Sequence, residues 1–271
     1  MKRERISRRK FIAVTSIAGA VASMTPGSVF AKSLYKADSV SDKEKGLTFL
    51  FQGDSITDGN WGQSGSNNRN LMDGNHILGH GYVFAVASRL GADFPAAGFT
   101  FHNRGISGNK VSDLENRWET DAVAIKPDVL SILIGVNDAG AVIRNSPDSY
   151  DAETFESKYH SLLLRSKEAN PDILFVLAPP FIYPVGVHKG QWDLWNREVP
   201  LRAEAVRKLA KEFDAVFVDY PDMFARATKS VPVDYWIWDG CHPSIYGHEL
   251  MAREWIKQVS TRLKFLKKYD Y

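Results

Sequence analysis

Short apolar runs alternate with longer stretches in which apolar residues recur every three to four positions. The runs Leu47–Phe51, Thr100–Asn103, Val129–Ile134, Ile173–Leu177 and Ala215–Val218 read as buried parallel strands. Between them, 82–90, 111–124, 155–169 and 202–213 have helical spacing, and a last helix is expected from Ser244 to Leu266. Strand and helix in alternation predict an α/β domain, a five-stranded doubly wound parallel sheet with helices on both faces. In such a sheet ligands bind at the carboxyl ends of the strands.

The N-terminal pattern is different. Basic residues up to Lys10, an apolar run from Phe11 to about Met24 and small residues ending at Val29-Phe30-Ala31 make the three regions of an export signal. The run is too short to span a bilayer. Ser7-Arg8-Arg9-Lys10-Phe11-Ile12 resembles the twin-arginine export motif. Residues 1–31 are therefore expected to be a signal, 32–45 a flexible lead-in and 46–271 the single folded domain of a periplasmic or extracellular protein, with no stable membrane insertion after processing.

The signal also distorts the charge. Six of the 34 Lys and Arg residues and one of the 32 acidic residues lie in the first ten positions, leaving 28 bases against 31 acids. That weakly acidic balance argues against a nucleic-acid partner. Cys241 is the single cysteine, which excludes an intramolecular disulfide and a Cys-based zinc cluster. Asp73, His76 and His80 have the spacing of a helical metal pair, but Gly74, Gly79 and Gly81 mark this stretch as loop, and no metal site is assigned.

Candidate chemistry gathers where the strands end. The first runs into Gly53-Asp54-Ser55, where Ser55 could be a nucleophile or only a turn or cap residue. The second ends in Asn103-Arg104-Gly105-Ile106-Ser107-Gly108-Asn109, the third in Ile134-Gly135-Val136-Asn137-Asp138. Backbone N–H groups and an amide side chain converging there are what an oxyanion hole requires. In Trp238-Asp239-Gly240-Cys241-His242-Pro243 the carboxylate, three residues before the imidazole, can hold one ring nitrogen and leave the other to take a serine proton.

Together these segments resemble the SGNH (GDSL-type) hydrolases, whose conserved serine, glycine, asparagine and histidine fall on Ser55, Gly108, Asn137 and His242. Resemblance extends over most of 46–266 and implies a three-layer, flavodoxin-like α/β/α fold and ester hydrolysis without a cofactor. It implies Ser55, Asp239 and His242 as the triad, with the N–H groups of Ser55 and Gly108 and the Asn137 amide as oxyanion hole. Within that superfamily the chain is most similar to acetylxylan esterase-like carbohydrate acetyl esterases, on Gly81-Tyr82-Val83, Asn103–Asn109, Lys126-Pro127-Asp128 and Trp238-Asp239. A small-molecule or polysaccharide ester is the expected partner, and the resemblance allows a homo-oligomer.

Asp54, Trp238 and Trp236 are the expected substrate contacts, while Tyr235, Trp192 and Trp195 read either as further aromatic platforms or as ordinary core or rim packing. The loops 60–75 and 181–195 depart from that subfamily. The alternatives are a lysophospholipase or thioesterase of the same fold and a glycan-binding module without chemistry. His248 reads as a packing or capping residue, and Cys241 as a small hydrophobe under the triad loop.

Overall fold

A computed structural model of the 271-residue chain describes residues 40–59 and 76–271. The expected export signal, most of the expected lead-in and the loop 60–75 lie outside the described residues. Five strands, β1 (Thr48–Gly53), β2 (Thr100–Asn103), β3 (Val129–Leu133), β4 (Leu174–Ala178) and β5 (Val216–Phe217), form one sheet in the order β2-β1-β3-β4-β5, every neighbouring pair parallel. This is the doubly wound, flavodoxin-like order, and its topology reverses between β1 and β3.

The helices are α1 (Ser55–Asp58), α2 (Tyr82–Asp93), α3 (Val111–Asp121), α4 (Val136–Ile143), α5 (Ala152–Ala169), α6 (Trp192–Glu212), α7 (Tyr220–Ala227), α8 (Val233–Trp236) and α9 (Ile245–Val259). Strand periodicity sorts them into two layers. Phe49, Phe51, Val129, Leu133 and Val176 face one core shared with α2, α7 and α9. Leu50, Leu130, Ile132, Phe175 and Leu177 face the other, shared with α3, α5 and the second half of α6. Each layer contains a buried tryptophan whose indole N–H needs a partner. Trp255 donates to Ser131 Oγ (3.0 Å) and Trp118 to Ser166 Oγ (3.0 Å).

Several boundaries differ from the sequence reading. The last helix stops at Val259, and a separate 3-10 turn covers Lys264–Lys268. The aromatic stretch 181–195 is loop only to Val185, because a 3-10 helix covers Gly186–Gln191 and α6 begins at Trp192, ten residues before the expected start, and carries Pro200 inside it. Among the described residues, no helix is long and apolar enough to cross a membrane.

The strand ends are packed backbone against backbone. A Cβ added at Gly105 would stand 2.4 Å from Asp58 N, so only glycine lets the segment after β2 lie against α1. Asn103 fixes that approach, its amide donating to the carbonyls of Thr57 (2.8 Å) and Leu78 (2.9 Å) while its own oxygen accepts from Gly105 N–H (2.9 Å).

Candidate active site

Ser55 opens α1 directly after β1, where Asp54 caps the helix by accepting from Ile56 N–H (3.0 Å). His242 and Asp239 come from the loop before α9. That loop closes on itself through an antiparallel bridge between Ile237 and Pro243, a bond from Trp238 N–H to His242 O (3.2 Å) and one from Ser244 N–H to Trp236 O (2.7 Å). Gly240 makes the turn with φ +99°, and a Cβ there would lie 2.6 Å from Tyr183 O. Ser244 then caps α9 by accepting from Gly247 N–H (3.2 Å).

The fold thereby joins residues 187 positions apart: Ser55 Oγ lies 2.7 Å from His242 Nε2. His242 Nδ1 lies 2.7 Å from Asp239 Oδ2, while Asp239 Oδ1 accepts from the N–H groups of Cys241 (2.9 Å) and His242 (2.7 Å). A carboxylate can only accept, so Nδ1 carries a proton and Nε2 presents its lone pair to the serine hydroxyl. Burial alone would raise the Asp239 carboxyl. The bonds from His242 and Cys241 outweigh it and hold the group below the usual carboxylate range.

A second segment braces this loop from behind. Tyr183 N–H donates to Gly240 O (2.8 Å), and His188 Nδ1 lies 2.7 Å from Asp239 O, a carbonyl to which it must donate. The His188 ring packs edge-on against Trp195 (4.7 Å). No sequence signal connected His188 with Asp239, 51 positions away.

Ser55, Gly108, Asn137 and His242 line one pocket of about 600 Å³ together with Trp238, Gly59, His80, Gly81 and His248. Among the described residues the N–H groups of Ser55 and Gly108 have no hydrogen-bond partner, so two backbone donors are available beside the Asn137 amide. One Asn137 amide hydrogen is held by Asn109 O (3.1 Å), leaving the other for a ligand. Further polar contacts stiffen that corner. Asn109 Oδ1 accepts from Arg117 Nε (3.0 Å), Arg117 also donates to Gln52 Oε1 (3.0 Å), and Ser107 donates through N–H and hydroxyl to Asp58 Oδ2 (3.2 and 2.9 Å).

Of the expected substrate contacts, Trp238 fits: it is 64% exposed and packs roughly parallel to the His242 ring (6.3 Å, 25°). Asp54 does not. It is 1% exposed with its carboxylate turned inward as a helix cap, out of reach of a bound sugar. Burial pushes its pKa up to about 7, with the Ile56 N–H and His242 opposing the rise and buried Asp138 adding to it. Trp236 is set back from the pocket and half-buried, with its indole nitrogen enclosed. Trp195 is buried in the core and Trp192 packs half-buried against it, and neither lines the pocket.

The remaining singled-out residues are accounted for structurally. His76 Nδ1 and His80 Nε2 lie 3.1 Å apart and bond each other, while Asp73 lies outside the described residues. Among the described residues, no three His, Cys, Asp or Glu side chains gather as metal ligands. Cys241 is buried beneath the triad loop, and burial, then the neighbouring Asp54 and Asp239, push its thiol far from ionisation.

Comparison with known proteins agrees with this architecture. The sequence profile of the GDSL-like lipase/acylhydrolase family matches residues 51–250. The chain is 33% identical to an acetylxylan esterase of Geobacillus stearothermophilus over 224 residues, 79% of this chain and 94% of that one. A crystal structure of the same esterase superposes with a TM-score of 0.66 at 33% identity, covering 79% of this chain and 94% of that one. A GDSL-like protein of Parabacteroides merdae superposes with a TM-score of 0.73 at 37% identity, covering 81% and 98%. With the profile spanning most of the sheet and all of the pocket's strand ends, the chain belongs to the GDSL-like lipase/acylhydrolase family and is a carboxylic ester hydrolase.

Proposed function

We propose that this protein removes acetyl groups from acetylated carbohydrates of the xylan kind by a serine mechanism. The observation carrying the mechanism is the unbroken line Ser55 Oγ, His242 Nε2, His242 Nδ1, Asp239 Oδ2, with 2.7 Å at both hydrogen-bonded steps. Ser55 Oγ attacks the ester carbonyl as His242 Nε2 takes its proton, and Asp239 stabilises the imidazolium. The carbonyl oxygen, now an anion, accepts from the N–H groups of Ser55 and Gly108 and from the Asn137 amide. On collapse, His242 returns the proton to the departing sugar oxygen, leaving an acetyl-enzyme. Water then attacks that ester with the same base, releasing acetate and restoring Ser55.

Several observations support the acetyl and sugar side of this reading. The Geobacillus relative is an acetylxylan esterase, and forms of it called catalytic mutants replace a serine, an aspartate and a histidine, the last two three positions apart, as Asp239 and His242 are. A further form replaces the tryptophan directly before that aspartate, the position Trp238 holds here. The exposed Trp238 ring beside His242 offers a flat apolar face for a pyranose while its edge stays in water.

Hydrolysis of 4-nitrophenyl acetate, butyrate and octanoate, followed by acetate release from acetylated xylooligosaccharides, tests the proposal. Acetate is expected to give the highest kcat/KM of the three. Octanoate preference would assign the pocket to a lipid or thioester substrate instead. In the same assay Asn137→Ala is expected to lower kcat about 100- to 1,000-fold, the usual cost of one oxyanion donor. A loss below about threefold would remove Asn137 from the hole.

A further inference from the structure

Facing the pocket is a second histidine that the mechanism does not use. His248 projects from the first turns of α9 and packs against bare backbone: a Cβ on Gly81 would lie 3.1 to 3.2 Å from its ring. Its Nδ1 accepts the N–H of Tyr82 (3.2 Å), and its ring lies parallel to that of Tyr82 (6.5 Å, 12°). An N–H pointed at Nδ1 requires that nitrogen to hold a lone pair, so the ring is neutral and its one proton sits on Nε2. Burial, with His242 adding to it, lowers the pKa to about 4 and keeps that state throughout the neutral range.

Nε2 makes no hydrogen bond to any described residue. The ring therefore offers the pocket a fixed donor that cannot accept, on the wall shared with Gly59, His80 and Gly81. We propose that His248 is a substrate-specificity residue whose Nε2–H donates to a hydroxyl or ring oxygen of the sugar carrying the ester.

Oxygen inventory favours the sugar as the group addressed; this step rests on the carbohydrate reading above. When the carbonyl oxygen occupies the oxyanion hole and the ester oxygen faces His242, an acetyl group has no acceptor left. Every remaining acceptor belongs to the sugar. 4-Nitrophenyl acetate provides no oxygen at a comparable distance from the ester, so it reports the chemistry with this contact removed. Once substrate displaces water from the pocket, a donor left unpaired is also costly, which makes such a site reject leaving groups that lack the acceptor.

His248→Asn separates recognition from packing, because the amide oxygen can stand where Nδ1 stands and accept from Tyr82 N–H while nothing replaces Nε2–H. The ratio of kcat/KM on acetylated xylooligosaccharide to that on 4-nitrophenyl acetate is expected to fall about tenfold, the scale of one hydrogen bond. His248→Phe, which keeps the ring shape but no nitrogen, is expected to lower the ratio at least as far. If it fails to fold, His248→Asn decides alone. An unchanged ratio in folded His248→Asn, with both substrates slowed together or neither slowed, overturns the proposal and leaves a packing role. Wild-type protein active on 4-nitrophenyl acetate but not on the oligosaccharide overturns the carbohydrate reading and this one with it, a result seen without any variant.

Discussion

Ser55→Ala is expected to lower kcat on 4-nitrophenyl acetate by about 10⁴- to 10⁶-fold, the loss found when a serine hydrolase is stripped of its nucleophile. The hydroxyl is positioned by one partner, His242 Nε2 at 2.7 Å, and Ser55 is a partly exposed residue lining the pocket, so its removal leaves no buried group unsatisfied. Stability should change by no more than about 0.5 kcal/mol, which urea denaturation checks. Two other nucleophiles lie close by, and the structure disqualifies both. Ser107 spends its hydroxyl proton on Asp58 Oδ2, and Cys241 is a buried thiol held far from ionisation. Activity of the folded variant within tenfold of wild type would mean that Ser55 is not the nucleophile. Mass spectrometry of protein quenched during turnover supplies an independent reading: an added acetyl group on wild type, absent from Ser55→Ala.

The strands were legible because apolar runs bounded by turn residues have few other uses, and all five were anticipated within three residues at each end. The carboxyl end of β1 extends past Phe51 through Gln52 and Gly53, a polar residue and a glycine that argue against a strand. Gln52 is tolerated because its amide donates to Asp121 O (2.8 Å) and accepts from Arg117, bonds made to a helix 65 and more residues away. Local pattern cannot anticipate such partners. α4 was missed for a related reason: Val-Asn-Asp-Ala-Gly-Ala-Val-Ile has poor helix propensity, and the segment is held by burial of Val136, Ala139 and Ala141. Pro200 hid the first half of α6, since an interior proline forfeits one backbone bond and usually marks a helix start.

The site divided along the same line. Ser55, Gly108, Asn137, Asp239, His242 and Trp238 could be picked out because each belongs to a contiguous motif at a strand end or before a helix. Asp54 and Trp236 do not line the pocket, since nearness in sequence to Ser55 or Asp239 says nothing about which way a side chain turns. In an α1 opening, residue 54 caps inward while residue 55 faces out. The supports of the site are pairs remote in sequence, His188 with Asp239 and His248 with Tyr82, and only the folded sheet brings them together.

Asp239→Asn is expected to lower kcat about 10⁴-fold with the loop intact, because the substitution exchanges a proton arrangement and little else. The asparagine oxygen can retain the role of Oδ1, accepting from Cys241 and His242 N–H. Its NH2 group then faces His242 Nδ1, which must become an acceptor. The ring proton moves to Nε2 and points at Ser55 Oγ, so no base is left for the hydroxyl proton, and the imidazolium of the transition state has lost its counter-charge. Backbone bonds from Tyr183 N–H to Gly240 O and from His188 to Asp239 O do not depend on the side chain and keep the turn in place. Asp239→Ala removes both kinds of bond. It should match the catalytic loss and in addition lower stability by about 1–3 kcal/mol, the cost of leaving turn N–H groups without an acceptor. Paired kcat and urea midpoints separate the two roles of the carboxylate. If Asp239→Asn stays within tenfold of wild type, the aspartate is a turn residue and His242 is oriented by something else. If it loses activity together with stability to the extent of Asp239→Ala, geometry rather than tautomer is what Asp239 supplies.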